Sequence, residues 1–437
     1  MSKISFALAL SVATIASGFF LAACENTTTT NNTATNTASP VADSTTANAK
    51  GLKIGSLLPT TGDLASIGQQ MVGSVPLLVE TVNACGGVNG EPVTLVQVDD
   101  QTDPKAGAAG MTKLATLDKV AGVVGSFASS VSTAAISVAV PNKVMLISPG
   151  STSPIFTEKA QKGDFKSFWA RTAPPDTYQA LALAQLAKKK GFKRVSTVVI
   201  NNDYGVGFEK AFVKTFEELG GTVINKDKPV RYDPKAQTFD TEATATFAGK
   251  PDAVLAVMYA ETGSLFLKAA YQQGVTKGVK IMLTDGVKSD TFPEQVGKSS
   301  DGKYILSGAI GTVPGSSGKG LEALNKLWKE KKGGVPGEYA PQAWDAAALL
   351  VLAAQSAKEN TGVGIASNIR EVSAGTGTEV SDVCEGLKLL KEGKKINYQG
   401  ASGDVDVDAN GDVIGTYDVW TVEDNGKIKV IDKVSPQ

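Results

Sequence analysis

VAGVVGSFASSVSTAAISVAVPNKVMLISPGSTSP, Val120 to Pro154, decides the fold class. A short apolar run closes at Gly125–Phe127, and small and apolar residues then follow at helical spacing from Ser129 to Val140. A second apolar run, Val144–Ser148, opens into another hydroxyl-rich loop, SPGSTSP. Unbroken apolar strands alternating with helices are the pattern of a parallel sheet covered on both faces.

The same rhythm extends to both sides. KIGSLLP (53–59) is an apolar run, and the helix pattern over 64–84 stops at Gly86–Gly87, a helix C-terminal signal. PVTLVQVDD (92–100) reads as a strand, and Asp103–Pro104 starts a helix to about 118 with proline at the favoured first position. After RTAPPD the series restarts with a helix capped by Asp176 and a strand at 194–201. GFEKAFVKTFEELGG is a helix, TVINKDKPV (222–230) a strand and FDTEATATFAG a short helix. AVLAVMY (253–259) and KIMLTDG (280–286) are strands flanking the helix GSLFLKAAYQQGV. Past 305 three helical segments lead to a β-rich tail, with DVDVDANGDV (404–413) expected as a hairpin turned on Asn410–Gly411. The expected fold is α/β, open and doubly wound, with two similar units in tandem.

The chain has 437 residues, 42% hydrophobic and 20% charged, with a formal net charge of −1, which offers no basic face for nucleic acid. It has no histidine, so imidazole is neither its general base nor a zinc ligand. Ligand affinity is then expected to change little between about pH 5 and 8, unless a carboxylate is strongly shifted. Asp406, Asp408, Asn410 and Gly411 resemble a calcium loop, but its twelfth position is Tyr417, where a bidentate Glu is required. YGVGFEK lacks the third glycine of a dinucleotide fingerprint, there is no nucleophile elbow, and the Ser316–Lys319 spacing stands alone in a Gly/Ser loop. No metal or cofactor is called for, and nothing asks for an enzyme.

The N-terminus reads as an address. Lys3 and the apolar stretch 4–20 lead to LAAC, Leu21–Cys24, which matches a lipoprotein signal box: cleavage before Cys24 and lipid on its thiol. A plain secretory signal is the alternative. Residues 1–23 are thus the signal peptide, and 24–51 the lipidated Cys with a Thr/Asn/Ala/Ser tether too polar to fold. Cys85 and Cys384 either pair, as export to an oxidising compartment permits, or stand as separate buried thiols.

In open α/β sheets ligands bind beyond the carboxyl ends of the strands, where helix N-termini offer unpaired N–H groups. Both hydroxyl-rich loops fall at such ends, and together they suit a small carboxylate. Asp285, in LTDG, is the candidate partner for an ammonium, with Tyr204 and Tyr259 walling the pocket from the second unit. The plainer reading leaves Ser129 and Ser130 as helix caps, SPGSTSP as a solvated loop and Asp285 as a turn residue before Gly286.

Lipobox, tether, KIGSLLPTTGDLASIGQQ, the GG-x-NG turn at 86–90, the Asp-Pro start at 103–104, VVGSFASS, SPGSTSP, RTAPPD and NNDYGVGF follow one another in a familiar order. Over 52–437 the chain resembles the substrate-binding lipoproteins of branched-chain and neutral amino-acid ABC transporters, type I periplasmic binding proteins of the leucine/isoleucine/valine kind. The resemblance implies a Venus-flytrap of two lobes, 52–174 with 309–395 and 175–308 with 396–437, joined by three crossovers. It implies that Phe127, Ala128 and Ser129 hold the ligand's carboxylate and ammonium, with Gly150, Ser151 and Thr152 adding a carbonyl and a hydroxyl. Tyr204 and Asp285 take the positions facing them, Tyr259 a cleft position, and Ile67 replaces the usual aromatic residue of the side-chain pocket. The implied ligand is a free neutral or hydrophobic L-amino acid. The implied partners are permease subunits and, through them, a cytoplasmic ATPase, for a monomer lipid-anchored outside the cytoplasm. An amide or urea-type solute, or a sensor without transport, are the alternatives, and an exported enzyme a third.

Overall fold

A computed structural model describes residues 51–436, so the signal peptide, Cys24 and all but the last residue of the tether lie outside the described residues. Within it, the repeated strand–helix units of the sequence build two sheets. The first contains β1 (Lys53–Leu58), β2 (Thr94–Asp99), β3 (Gly122–Gly125), β4 (Met145–Ser148) and β5 (Trp169–Arg171), all parallel, in the order β2-β1-β3-β4-β5. Helices α1 (Ala65–Ala84), α2 (Pro104–Thr112), α3 (Ser129–Ala139) and α4 (Ile155–Gln161) alternate with these strands. Asp103 caps α2, its carboxylate accepting from Lys105 and Ala106 N–H groups ahead of a proline-led first turn.

The chain then crosses to α5 (Asp176–Lys189) and a second sheet. Here β6 (Arg194–Ile200), α6 (Asp203–Glu218), β7 (Thr222–Val223), β8 (Val230–Tyr232), α7 (Asp240–Phe247), β9 (Ala253–Val257), α8 (Ala260–Gln272), β10 (Lys280–Leu283), α9 (Phe292–Val296) and β11 (Ile310–Pro314) follow. It returns through α10 (Lys319–Lys331), α11 (Ala340–Ala357), α12 (Gly362–Ser373), β12 (Thr378–Val380), α13 (Val383–Lys391) and β13 (Ile396–Tyr398). A last crossing delivers β14 (Tyr417–Val422) and β15 (Ile428–Val434), antiparallel, to the second sheet, whose order is β15-β14-β11-β10-β9-β6-β7 with β8 also on β6. The result is a doubly wound α/β molecule of two lobes with three crossings. Alanine-rich α11 is buried along nearly its whole length, packed on α1, β3 and β4, so it forms the centre of the first lobe.

Four local expectations are corrected. The strand placed at 222–230 is two short strands, β7 and β8, each pairing with β6. Asp176 does not cap α5: Pro175 is the N-cap, and Asp176 is the first helical residue. The expected lobe boundary at 308/309 is displaced, because β11 is hydrogen-bonded between β10 and β14 in the second sheet. At the other boundary, β13 pairs only with β12, so the final crossing begins after it.

The stretch 404–413 forms no hairpin either. The Asp408 carboxylate draws in the N–H groups of Asn410 (2.7 Å) and Asp412 (2.9 Å), closing a tight local turn. The Gly411 carbonyl accepts from the Arg171 N–H at 2.9 Å, and a side chain at Gly411 would strike the Trp169 carbonyl at 2.5 Å. The tail hairpin is β14–β15, one turn later.

Cys85, just past α1, and Cys384, in the first turn of α13, form a disulfide with Cα atoms 5.9 Å apart and a sequence separation of 299. Closing so long a loop restricts the unfolded chain. The Cys85→Ser/Cys384→Ser variant is therefore expected to lose about 2–4 kcal/mol of stability. Urea unfolding checks this, and reductant should destabilise the parent but not the variant.

Candidate functional site

The hydroxyls that open at the end of β3 serve first to bind two loops together. The Ser126 carbonyl accepts from Ser132 Oγ (3.0 Å) and Ser148 Oγ (2.5 Å). Ser151 Oγ lies 2.8 Å from Ser132 Oγ and 3.0 Å from the Phe127 carbonyl, and Ser148 Oγ accepts from the Ser151 N–H at 2.8 Å. Ser126 Oγ donates to buried Asp100 at 2.7 Å, and burial pushes that carboxyl up to about 7. Ser129 does not cap α3: Ala128 occupies the N-cap without a side-chain bond, and Ser129 Oγ instead accepts from the Ser153 N–H at 3.3 Å.

This internal lattice fixes the loops that face the second lobe. Phe127, Ala128, Ser129 and Gly150 from the first lobe meet Tyr204, Tyr259, Asp285 and Gly286 from the second, with Leu64 beside them. Gly150 is required by the close seating of Phe127, whose ring would lie 2.1 Å from a Cβ there. Asp285 begins a short 3₁₀ turn after β10 and is 3% exposed. Its Oδ1 lies 2.9 Å from the Tyr204 hydroxyl, and its Oδ2 accepts from the Tyr339 hydroxyl at 2.8 Å. Tyr204 stacks on Tyr259 at 5.6 Å between centroids, while Tyr339 meets Phe127 edge-on at 4.6 Å. Burial, and then the charge of Asp285, holds the Tyr204 and Tyr339 phenols well above their usual pKa, so they remain donors.

Seven sequence-selected residues thus come together: Phe127, Ala128, Ser129, Gly150, Tyr204, Tyr259 and Asp285. Three do not line the same space. Ser151 is turned into the loop lattice. Thr152 lies behind, its carbonyl accepting from the Asp176 N–H at 2.8 Å. Ile67 is 2% exposed and packs in the main core, and Leu64, one turn earlier, takes the wall position. Tyr339 was not singled out by sequence; the one available signal is an aromatic residue directly before a helix opening with Ala340–Pro341.

Arg171 was also missed as a contributor. Wholly buried at the end of β5, it donates from Nε to Asp412 (2.8 Å), from Nη1 to the Ser151 and Ser153 carbonyls (3.0 Å each) and from Nη2 to Thr157 (2.8 Å). It ties the second hydroxyl loop to the last crossover. A lone arginine ending an apolar strand was the signal for it.

The two lobes are closed on each other, leaving about 10 Å³ between the lining residues, room for about one water. Asp63 of the first lobe accepts from both the N–H (3.0 Å) and hydroxyl (2.7 Å) of Thr262, in the first turn of α8. Thr133 donates to Asp203 at 2.7 Å, and Lys288 pairs with Glu338 at 2.5 Å. Asp63 does not line the small cavity, so it acts on closure alone. Asp63→Ala is expected to weaken ligand binding by about 1 kcal/mol, roughly fivefold, through the lost charged contact at a helix N-terminus. Titration calorimetry checks it, and Thr262→Val should add little on top.

The family profile described as "Receptor family ligand binding region" matches residues 70–425. The substrate-binding protein BasB of a chemotactic signal transduction system in Halobacterium salinarum is 28% identical over 380 residues, 85% of this chain and 87% of the relative. Leu/Ile/Val-binding protein homolog 2 of Brucella abortus is 28% identical over 325 residues, 73% of this chain and 82% of the relative. The leucine binding protein LivK of Thermotoga maritima superposes with a TM-score of 0.74 at 26% identity, covering 88% of this chain and 99% of that one. A Rhodopseudomonas palustris solute binding protein solved with benzoate shares the fold at a TM-score of 0.69 and 20% identity, covering 88% of this chain and 97% of that one.

Proposed function

Because this chain belongs to the receptor-family ligand-binding proteins, as a type I periplasmic binding protein of the LivJ/LivK kind, we propose that it captures a free neutral L-amino acid between its lobes. The family and its solved neighbours bind solutes rather than transform them. What remains to decide is the solute, since those neighbours take amino acids and also aromatic acids.

The observation that carries the reading is the buried Asp285. A carboxylate enclosed to 3% exposure, fed by neutral donors that include the phenols of Tyr204 and Tyr339, asks for a cation from the ligand. A benzoate-like anion brings the wrong sign. An α-amino acid brings an ammonium for Asp285 and a carboxylate for the start of α3, where the first N–H groups lack intrahelical acceptors. Ser129 Oγ stands beside that helix end, and Leu64, Phe127 and Tyr259 leave an uncharged surround for the side chain.

Closure of the lobes on the zwitterion is a hinge motion, driven by the ligand's preference for the closed form. In this reading the protein is exported, anchored by lipid at Cys24 and held off the membrane by the tether. It delivers its ligand to permease subunits powered by a cytoplasmic ATPase. The likeness to BasB supports a second reading, in which the closed form signals to a receptor instead.

The test is a thermal-shift panel of the twenty amino acids, benzoate, GABA, urea and short amides. A ligand at about 100 times its Kd should stabilise the protein by about 2.7 kcal/mol. Shifts with leucine, isoleucine, valine or alanine support the proposal. A shift with benzoate or amides alone overturns the amino-acid assignment while leaving the fold.

A further inference from the structure

Asp100 is a carboxylate set behind the site rather than in its wall. It directly follows β2 in the first lobe, is wholly buried, and does not line the space between the lobes. Its Oδ1 accepts from the Thr102 N–H at 2.9 Å, and its carbonyl accepts from the Asp103 N–H at 2.9 Å, closing the turn that leads into α2. The other carboxylate oxygen serves a distant segment. Oδ2 accepts from the hydroxyl of Ser126, 26 positions along the chain, at 2.7 Å.

Ser126 immediately precedes the segment Phe127–Ser129 that meets Tyr204, Tyr259 and Asp285. It is held at both of its polar ends. Its carbonyl gathers the hydroxyls of Ser132, Ser148 and Ser151 at 3.0, 2.5 and 3.2 Å. Its own hydroxyl lies between two acceptors, Asp100 Oδ2 and, at 3.2 Å, the Leu57 carbonyl of β1. The hydroxyl lattice therefore fixes one side of this residue, and Asp100 with β1 fixes the other. These partners all belong to the first lobe, so the arrangement does not depend on closure.

We propose that Asp100 is the positioning residue of the ligand-facing loop, setting Phe127, Ala128 and Ser129 through the Ser126 hydroxyl whether or not its carboxyl carries a proton. This rests on the reading of the cleft as the ligand site and adds what holds that site in shape. When Asp100 is ionised, the Ser126 O–H donates to Oδ2. When it is protonated, the carboxyl O–H donates to Ser126 Oγ, and the Ser126 O–H turns to the Leu57 carbonyl. Both states leave every group with a partner. The protonated state belongs to the neutral range, because burial pushes this carboxyl up to about 7. Asp99 acts on it in the same direction, while its own oxygens hold Thr60, Thr61 and Gln101. Asp103 is engaged by the N–H groups of α2 and by Lys235, and Asp63 by Thr262. A buried carboxyl titrating near neutrality would otherwise release the loop as pH changed. Two acceptors around one hydroxyl remove that dependence.

The experiment compares Asp100→Asn with Asp100→Ala. Asparagine reproduces the protonated acid, its Oδ1 accepting from Thr102 and its Nδ2 donating to Ser126 Oγ, whereas alanine keeps neither contact. Hydrogen exchange of the ligand-free proteins, read by mass spectrometry, should be faster in Asp100→Ala over 125–133 and 148–153 and unchanged in α1 and α11. Asp100→Asn should exchange like the parent. Calorimetry with L-leucine should give an affinity about tenfold weaker for Asp100→Ala, recovered to within about threefold of the parent by Asp100→Asn. Between about pH 6 and 8 the affinities of the parent and Asp100→Asn should change together, whatever Asp285 contributes to both. If Asp100→Ala does not fold, Ser126→Ala removes the shared hydroxyl and should give the same exchange and affinity results. Parent-like exchange and affinity in the alanine variant overturn the proposal. Exchange raised throughout the fold does so too, as does a pH profile in the parent that Asp100→Asn lacks. No heat from leucine or any other amino acid, alongside exchange confined to the two loops, sinks the amino-acid reading and leaves Asp100 as the support of the loop.

Discussion

Replacing Asp285 with alanine is expected to weaken amino-acid binding by about 2–5 kcal/mol, roughly thirtyfold to several thousandfold. Two effects add. The ammonium would be enclosed without its counter-charge, and the hydroxyls of Tyr204 and Tyr339 would lose their shared acceptor. Asp285→Asn should fall between parent and alanine, keeping one oxygen acceptor but no charge. The ligand-free protein is not expected to suffer in the same measure, because the substitution removes the carboxylate that repels Asp176. Calorimetry with the best amino acid from the panel reads the binding loss, and a melting curve without ligand reads the stability. Parent-like affinity in both variants would remove Asp285 from the site.

Arg171→Met is expected to destabilise the fold by about 3–5 kcal/mol. The guanidinium is wholly buried and holds Asp412, Thr157 and the carbonyls of Ser151 and Ser153 at once. Methionine fills much of the volume but satisfies none of them, and Asp412 would remain 7% exposed with an uncompensated charge. Adding Asp412→Leu should recover part of the loss by removing that charge, yet not all of it, since the two carbonyls stay unpaired. Urea unfolding of the two single variants and the double provides the cycle. A loss below about 1 kcal/mol for Arg171→Met would show that solvent satisfies those groups instead.

The alternation of apolar runs and helix caps carried most of the architecture, because each run had only one way to be covered. Reading failed where a pattern was produced by something else. DVDVDANGDV alternates like a strand, but Val405 and Val407 are buried by the crossover's packing, with the Val407 N–H donating to Ser373, and Asp408 curls the backbone away from any partner. The site was legible where chemistry sits at strand ends, as for Asp285 and the 127–129 loop. It was not legible where partners arrive from distant segments: Leu64 and Tyr339 carry no local mark of the cleft. Resemblance supplied positions without orientation, so Ser151 turned out to serve the loop lattice and Ile67 the core. The surplus of hydroxyls after β3 is itself explained by two loops that had to be joined to one another before they could face a ligand.

The Cys85–Cys384 bridge has a mechanical meaning beyond the loop it closes. Cys85 lies just past α1 and Cys384 in the first turn of α13, helices of the first lobe that also pack on α11, so the bridge ties that lobe to itself although the chain between the two cysteines crosses to the second lobe and back. In a book, the stitch would be in one cover board and not in the spine. The board is stiffened as a lever, so force applied at its rim reaches the hinge undiminished, while the angle through which the covers swing is left free.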